Sequence, residues 1–243
     1  MRLDLCLVER KLVESRSRAK MEIESGKVFV NGKQVLKVAF DVGTEDEIQL
    51  ENALKWVSRG GLKLEKALKF FNVSPKEKIV LDIGSSTGGF SDVVLQGGAQ
   101  RVYCVDTGRD ILHDKIRNDI RVTVFEQTDY RDLDVSNFDI DLVVIDVSFI
   151  SLEKILQKLK CDFLGTDVTI ITLIKPQFEV GRQLAKKYKG VIKDKILHQE
   201  VVERIVSLFK ENGFNCKGVT ESPILGGDGN TEFLACFTTE KKN

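Results

Sequence analysis

No apolar run approaches the length that spans a bilayer, and the N-terminus lacks the apolar core of a signal peptide. These two absences point to a cytoplasmic protein. There is no C-x-x-C pair either. The five cysteines are scattered at 6, 104, 161, 216 and 236 and the two histidines lie far apart, so no structural zinc site or other metal site is expected. Net charge is missing as well: 37 basic residues balance 37 acidic ones, and the whole-chain balance gives no sign of nucleic-acid binding. Finally, the G-x-G-x-x-G spacing of a dinucleotide site is absent, which argues against a pyrophosphate ligand.

What is present centres on Lys78 to Gly108. A short β-branched run, Ile79 to Ile83, reads as a strand buried on both faces. A turn follows, Gly84-Ser85-Ser86-Thr87-Gly88-Gly89, then a helical pattern from Phe90 to Leu95, then a strand from Arg101 to Val105 ending on Asp106. Strand, glycine-rich turn, helix, strand and acid form the unit by which an open parallel sheet holds a nucleoside at the carboxyl ends of its strands. Asp82, at the end of the first strand, would repel a phosphate. A nucleoside carrying an amino acid and a positive sulfonium fits better, which is S-adenosylmethionine. Asp106 would then accept from the ribose hydroxyls, and the glycines would let the methionine portion lie against the backbone. Asp82, Gly84, Ser85, Ser86, Thr87, Gly88, Gly89, Phe90 and Asp106 are therefore the candidate donor-binding residues.

The order of elements extends this into an α/β fold, a Rossmann-like sheet preceded by a small α+β unit. Two short helices, the second capped by Ser15 or Ser17, lead to a hairpin through Asn31-Gly32 and a strand at 47–50. From Met1 to Lys37 nine basic residues face five acidic ones, and Arg16, Arg18, Lys20, Lys27 and Lys33 would share one face. Residues 55–61 read as the joint, giving the division 1–54, 55–61 and 62–243. Trp56, the only tryptophan, reads as a core anchor there. Beyond it, a helix from Leu62 to Phe71 carries Lys63 in its first turn. Strands are expected at 122–125, 142–145 and 168–174, a helix at 194–212, and two last strands flank 223–230. Asp129 would contact the adenine edge, Asp146 ends the fourth strand, and Lys186 to Gly190 would form a mobile basic loop.

Residues 2–50 resemble the S4 RNA-binding domain through Arg2-Leu3-Asp4, Ser17-Arg18-Ala19-Lys20, Ile23, Gly26-Lys27-Val28 and Val30-Asn31-Gly32. Such a module grips structured RNA by shape and phosphates. Arg2, Arg16, Arg18, Lys20, Lys27, Lys33 and, at the joint, Arg59 become candidate RNA contacts. Over almost its full length the chain resembles the TlyA family, an S4 domain joined to an FtsJ-type (RrmJ-like) methyltransferase and also called hemolysin A. The matching stretches are Trp56 to Leu64, Leu81 to Phe90, Asp146 to Ser151, Leu173 to Glu179 and Gly229 to Phe233. The resemblance implies S-adenosylmethionine-dependent 2′-O-methylation of cytidine in ribosomal RNA, and it places a catalytic Lys-Asp-Lys-Glu tetrad on Lys63, Asp146, Lys175 and Glu232. Asp146 would also border the donor. Relatives often carry asparagine at the position of Asp129. Family members modify both ribosomal subunits or only the large one, and this compact chain is more similar to the latter. Phe149 would either stack on a flipped base or fill the core.

The chemistry needs such a cluster. A ribose hydroxyl is a weak acid and must meet a base near the moment of attack. Lys175 would take or steer the proton, Asp146 would orient it, and Lys63 and Glu232 would complete the frame. Two other readings stand beside this one. The first is a membrane-active hemolysin, disfavoured by the lack of a spanning segment or long cationic amphipathic helix. The second is a ribosome assembly factor whose methyl transfer is incidental.

Overall fold

In the first unit, apolar residues at helical and strand spacing bury one face of two helices against one face of a small sheet. The computed structural model describes residues 1–51 and 55–240, the side chains of 182 and 183 excepted. Contacts divide the chain into Met1–Arg59 and Gly60–Asn243. The expected joint at 55–61 contains that division. Residues 52–54 and the last three residues of the lysine-rich tail lie outside the described residues.

Helices α1 (Leu3–Glu9) and α2 (Arg16–Glu24) precede strands β1 (Val28–Val30), β2 (Lys33–Gln34) and β3 (Ile48–Leu50). The strands pair antiparallel in the order β2-β1-β3. Leu3, Leu7, Ala19, Ile23, Val28 and Val30 form the core. Ser15, rather than Ser17, caps α2, its side chain accepting from the Arg18 amide at 3.2 Å. Asn31 and Gly32 both have positive φ, 50° and 73°, the conformation a tight two-residue hairpin demands.

The second unit opens with α3 (Gly60–Phe70), β4 (Ile79–Ile83), α4 (Gly89–Gln96), β5 (Arg101–Val105), α5 (Asp114–Arg117), β6 (Val122–Phe125) and β7 (Leu142–Ile145). It continues with α6 (Glu153–Phe163), β8 (Thr169–Ile174), α7 (Pro176–Glu179), α8 (Gly181–Lys187), α9 (Lys195–Glu211), β9 (Asn215–Glu221) and β10 (Phe233–Thr238). The seven strands run β6-β5-β4-β7-β8-β10-β9, with β4 to β8 parallel and β10 antiparallel to both neighbours. The order reverses at β4, so the carboxyl ends of β4, β5 and β7 open onto a switch point.

Strand periodicity sends alternate side chains to opposite faces. Leu81, Ile83, Val143, Ile145, Ile170, Ile174, Ala235 and Phe237 pack with Ile155, Leu156, Leu159 and Phe163 of α6 and Val201, Ile205 and Phe209 of α9. The other face is set against α3 and α4, which also pack on each other. Lys186 and Lys187, expected in a mobile basic loop, instead end helix α8. Helical hydrogen bonds run from the Tyr188 amide to the Leu184 carbonyl and from the Gly190 amide to the Ala185 carbonyl.

Candidate active site

The switch point is built first from backbone. Gly84 and Ser85 donate their amides to the Val105 carbonyl at 2.9 and 3.1 Å, tying the glycine-rich turn to the end of β5. Asp106 then accepts from the Ser86 amide at 2.8 Å and the Gly108 amide at 2.7 Å, one on each carboxylate oxygen. Gly84 has φ 81°, and a Cβ there would stand 2.5 Å from the Asp146 carbonyl oxygen. The turn therefore presses directly on the backbone of the residue that ends β7, a fit only glycine allows. Gly88, φ 89°, begins α4, where a Cβ would stand 2.9 Å from Leu112.

A cavity of about 660 Å³ opens beside this turn, within the range of small-molecule sites. Gly84, Ser86, Asp106, Asp129, Asp146 and Phe149 all line it. The other expected donor residues are not in its lining. Ser85, Gly89 and Phe90 are buried in the turn and the first turn of α4. Thr87 accepts the His113 amide through its carbonyl at 3.3 Å. Asp82 is fully buried beneath α4, accepting from the Ser91 hydroxyl at 2.6 Å, and its other oxygen has no hydrogen-bond partner. Burial pushes its carboxyl up to about 7, the Ser91 bonds opposing and the Asp146 and Asp106 charges adding.

Asp129 lines the cavity with its carboxylate already engaged. It accepts from the Arg131 amide and Nε at 2.9 Å each and from the guanidinium again at 2.5 Å. That guanidinium holds the Asp129 carboxyl below its ordinary range. Any adenine contact from Asp129 is shared with Arg131, which lines the same cavity and was not anticipated.

The other half of the site comes from residues remote in sequence. Lys175, just past β8, sets Nζ 2.6 Å from Asp146 Oδ1 and donates to the Ser148 hydroxyl at 2.7 Å. The Asp146 contact is ionic and off the line of a hydrogen bond. Lys63 Nζ donates to Glu232 Oε2 at 2.6 Å, with both side chains buried. Phe233 pairs with Ile174, so Glu232 and Lys175 are next in register just beyond the ladder. The four residues thus form two ion pairs at neighbouring strand ends, both buried enough that unpaired charges would be costly. Phe149 stands 91% exposed at φ 65°, its ring 5.2 Å from that of Phe178.

In the first unit the candidate RNA contacts are already partnered to different degrees. Arg2 and Arg16 both bind Asp4, at 2.9 and 3.0 Å. Arg18 binds Glu22 at 2.7 Å and the Trp56 carbonyl at 2.6 Å, with little of its side chain in solvent. It braces the unit rather than facing outward. Lys20 stands 3.8 Å from Glu24, Lys27 and Arg59 are half-buried, and Lys33 is exposed. Trp56 is buried.

The chain that builds this mostly parallel sheet and its glycine turn matches known families. The model for FtsJ-like methyltransferases matches residues 56–239, and that for the S4 domain matches residues 1–48. The fold and the family match are those of a methyltransferase. The Bacillus subtilis protein YqxC, provisionally named an rRNA methyltransferase, is 47% identical over 96% of this chain and 84% of its own. The 16S/23S rRNA (cytidine-2′-O)-methyltransferase TlyA of Mycobacterium tuberculosis is 38% identical over 98% and 90%. The 23S rRNA (cytidine-2′-O)-methyltransferase TlyA of Campylobacter jejuni is 35% identical over 96% and 98%. A solved structure from Streptococcus thermophilus, provisionally named a hemolysin, superposes with TM-score 0.76 and 40% identity, covering 99% of this chain and 88% of that one. The chain belongs to the TlyA family, in which an S4 domain accompanies an FtsJ-like methyltransferase.

Proposed function

We propose that the protein uses S-adenosylmethionine to methylate the 2′-hydroxyl of a cytidine in ribosomal RNA, acting in the cytoplasm on ribosomal subunits or their assembly intermediates. Large-subunit RNA is the favoured target, because 23S rRNA is common to the activities for which the two TlyA relatives are named. The observation that carries the reading is the Lys175 ammonium, held between Asp146 and Ser148, both of which line the cavity.

The cavity residues suit the donor. Asp106 keeps lone pairs for two ribose hydroxyls, and Gly84 leaves the turn without a side chain where the backbone is most crowded. When bound, S-adenosylmethionine supplies an electrophilic methyl on a sulfonium that is already a good leaving group. The protein's work is then placement of the acceptor oxygen and removal of its proton. Lys175 Nζ takes that proton as the neutral amine or steers it as the ammonium. Asp146 orients the ammonium, and the Lys63–Glu232 pair fills the adjacent strand end without leaving net charge. Phe149 offers an exposed ring for the acceptor base. The first unit, taken as residues 1–54, holds the RNA through Lys20, Lys27 and Lys33 with Arg2 and Arg16, and Arg59 adds a contact from the joint.

Tritium transfer from labelled S-adenosylmethionine to separated ribosomal subunits lacking the modification tests this reading. Label on a cytidine 2′-oxygen of large-subunit RNA is expected, and loss of that label with Lys175→Ala. No described helix is long and apolar enough to cross a membrane. Lysis of red cells by purified protein without a methyl donor would favour the membrane-active alternative.

A further inference from the structure

Glu179 is a buried carboxylate outside the expected tetrad. Taking a carboxylate out of water costs several kcal/mol unless donors replace the lost hydration. Here they do. The Ser151 hydroxyl donates to Oε2 at 2.7 Å and the Leu152 amide to Oε1 at 2.9 Å. Arg204 of α9 donates to the Glu179 carbonyl at 2.8 Å and lies 3.4 Å from Oε2.

The placement of these donors is informative. Lys175 precedes the single turn of α7 and Glu179 ends it, and both hold the loop that follows β7. Lys175 grips its beginning at Asp146 and Ser148, and Glu179 grips its end at Ser151 and Leu152. Between the two grips stands Phe149, in a left-handed conformation that is strained for a bulky side chain. Such strain persists only where the surroundings over-determine it. Phe178, also on α7, sets its ring beside that of Phe149.

We propose that Glu179 is a positioning residue for methyl transfer: by clamping Ser151 and Leu152 to α7 and, through Arg204, to α9, it fixes the 146–152 loop so that Asp146, Ser148 and Phe149 are presented to the acceptor nucleotide. The inference rests on the methyl-transfer reading above. Glu179 touches neither the donor nor the acceptor and acts through the loop.

The test compares wild type, Glu179→Gln, Ser151→Ala and Lys175→Ala. It uses steady-state methylation of unmodified ribosomal subunits, calorimetric S-adenosylmethionine binding, and hydrogen exchange across the chain. Glu179→Gln keeps the shape but loses one acceptor oxygen. It is expected to lower kcat at least about tenfold while donor Kd changes less than about threefold, with faster exchange confined to 146–152. Ser151→Ala is expected to shift the same quantities less. Unchanged kcat in Glu179→Gln, beside a wild type that methylates and a Lys175→Ala that does not, overturns the inference alone. A fall in kcat accompanied by accelerated exchange throughout 60–240 also overturns it, because the role is then general stability. A wild type that transfers no methyl group overturns the functional reading and the inference together.

Discussion

The two halves of the site, both at the carboxyl edge of one sheet, are made differently. On the β4–β5 side the working parts are glycines, backbone amides and one carboxylate, all within the 25 residues from Gly84 to Gly108. On the β7–β8–β10 side they are four charged side chains, the bonded pair Lys63 and Glu232 being 169 residues apart. A half made of backbone fits a ligand whose shape never changes. A half made of buried ion pairs can hold and move a proton, and its parts depend on one another. Damage to the first should appear as lost donor binding, and damage to the second as lost turnover.

The largest effect should come from the second half. Lys175→Ala is expected to lower methyl transfer by about 10²–10⁴-fold while leaving donor affinity within about threefold, read from initial rates and calorimetry. Equal losses of both would erase the distinction between the halves. Next, Glu232→Ala leaves Lys63 buried without its partner and should cost about 3–5 kcal/mol of stability in urea titrations. Glu232→Gln, which keeps an acceptor, should cost less. In the first half, Gly84→Ala meets both a positive φ and the Asp146 carbonyl. It should cost about 1–3 kcal/mol and weaken donor binding before it lowers kcat.

The remaining prediction concerns pH and Asp82. Its folded value of about 7 lies above the unfolded carboxylate value of about 3.9. The group therefore favours the fold at low pH, a contribution complete below about pH 4 and lost as pH rises through about 7. The melting temperature of wild type relative to Asp82→Asn should fall across that window and level off above it. A flat difference would mean that Asp82 is charged in its pocket.

Legibility in the sequence follows the same contrast. The β4–turn–α4–β5 unit is local, so the run of Ile79 to Ile83, the glycines and Asp106 were enough to place it. The Asn31-Gly32 hairpin was equally local. The tetrad was not visible in spacing, because strand order alone brings Glu232 beside Lys175, and only the resemblance to a family pointed to it. Asp82 was expected beside the donor, yet strand alternation turns its side chain under α4 to Ser91. Asp129 was expected to be open to adenine, yet a neighbour two residues on, Arg131, occupies it. The capture of Ser151 and Leu152 by Glu179 spans 27 and 28 residues and left no local pattern. Lys186 and Lys187 looked like loop because a run of lysines carries no apolar periodicity, and they close α8 instead.

The most direct measurement is transfer of labelled methyl from S-adenosylmethionine to unmodified large ribosomal subunits by wild type and Lys175→Ala, each first shown to bind the donor. Label on a cytidine 2′-oxygen with the wild type, and almost none with the variant at equal donor occupancy, is the predicted result. Equal labelling by both proteins would contradict the assignment of the proton to Lys175, and no labelling by either would contradict the reaction itself.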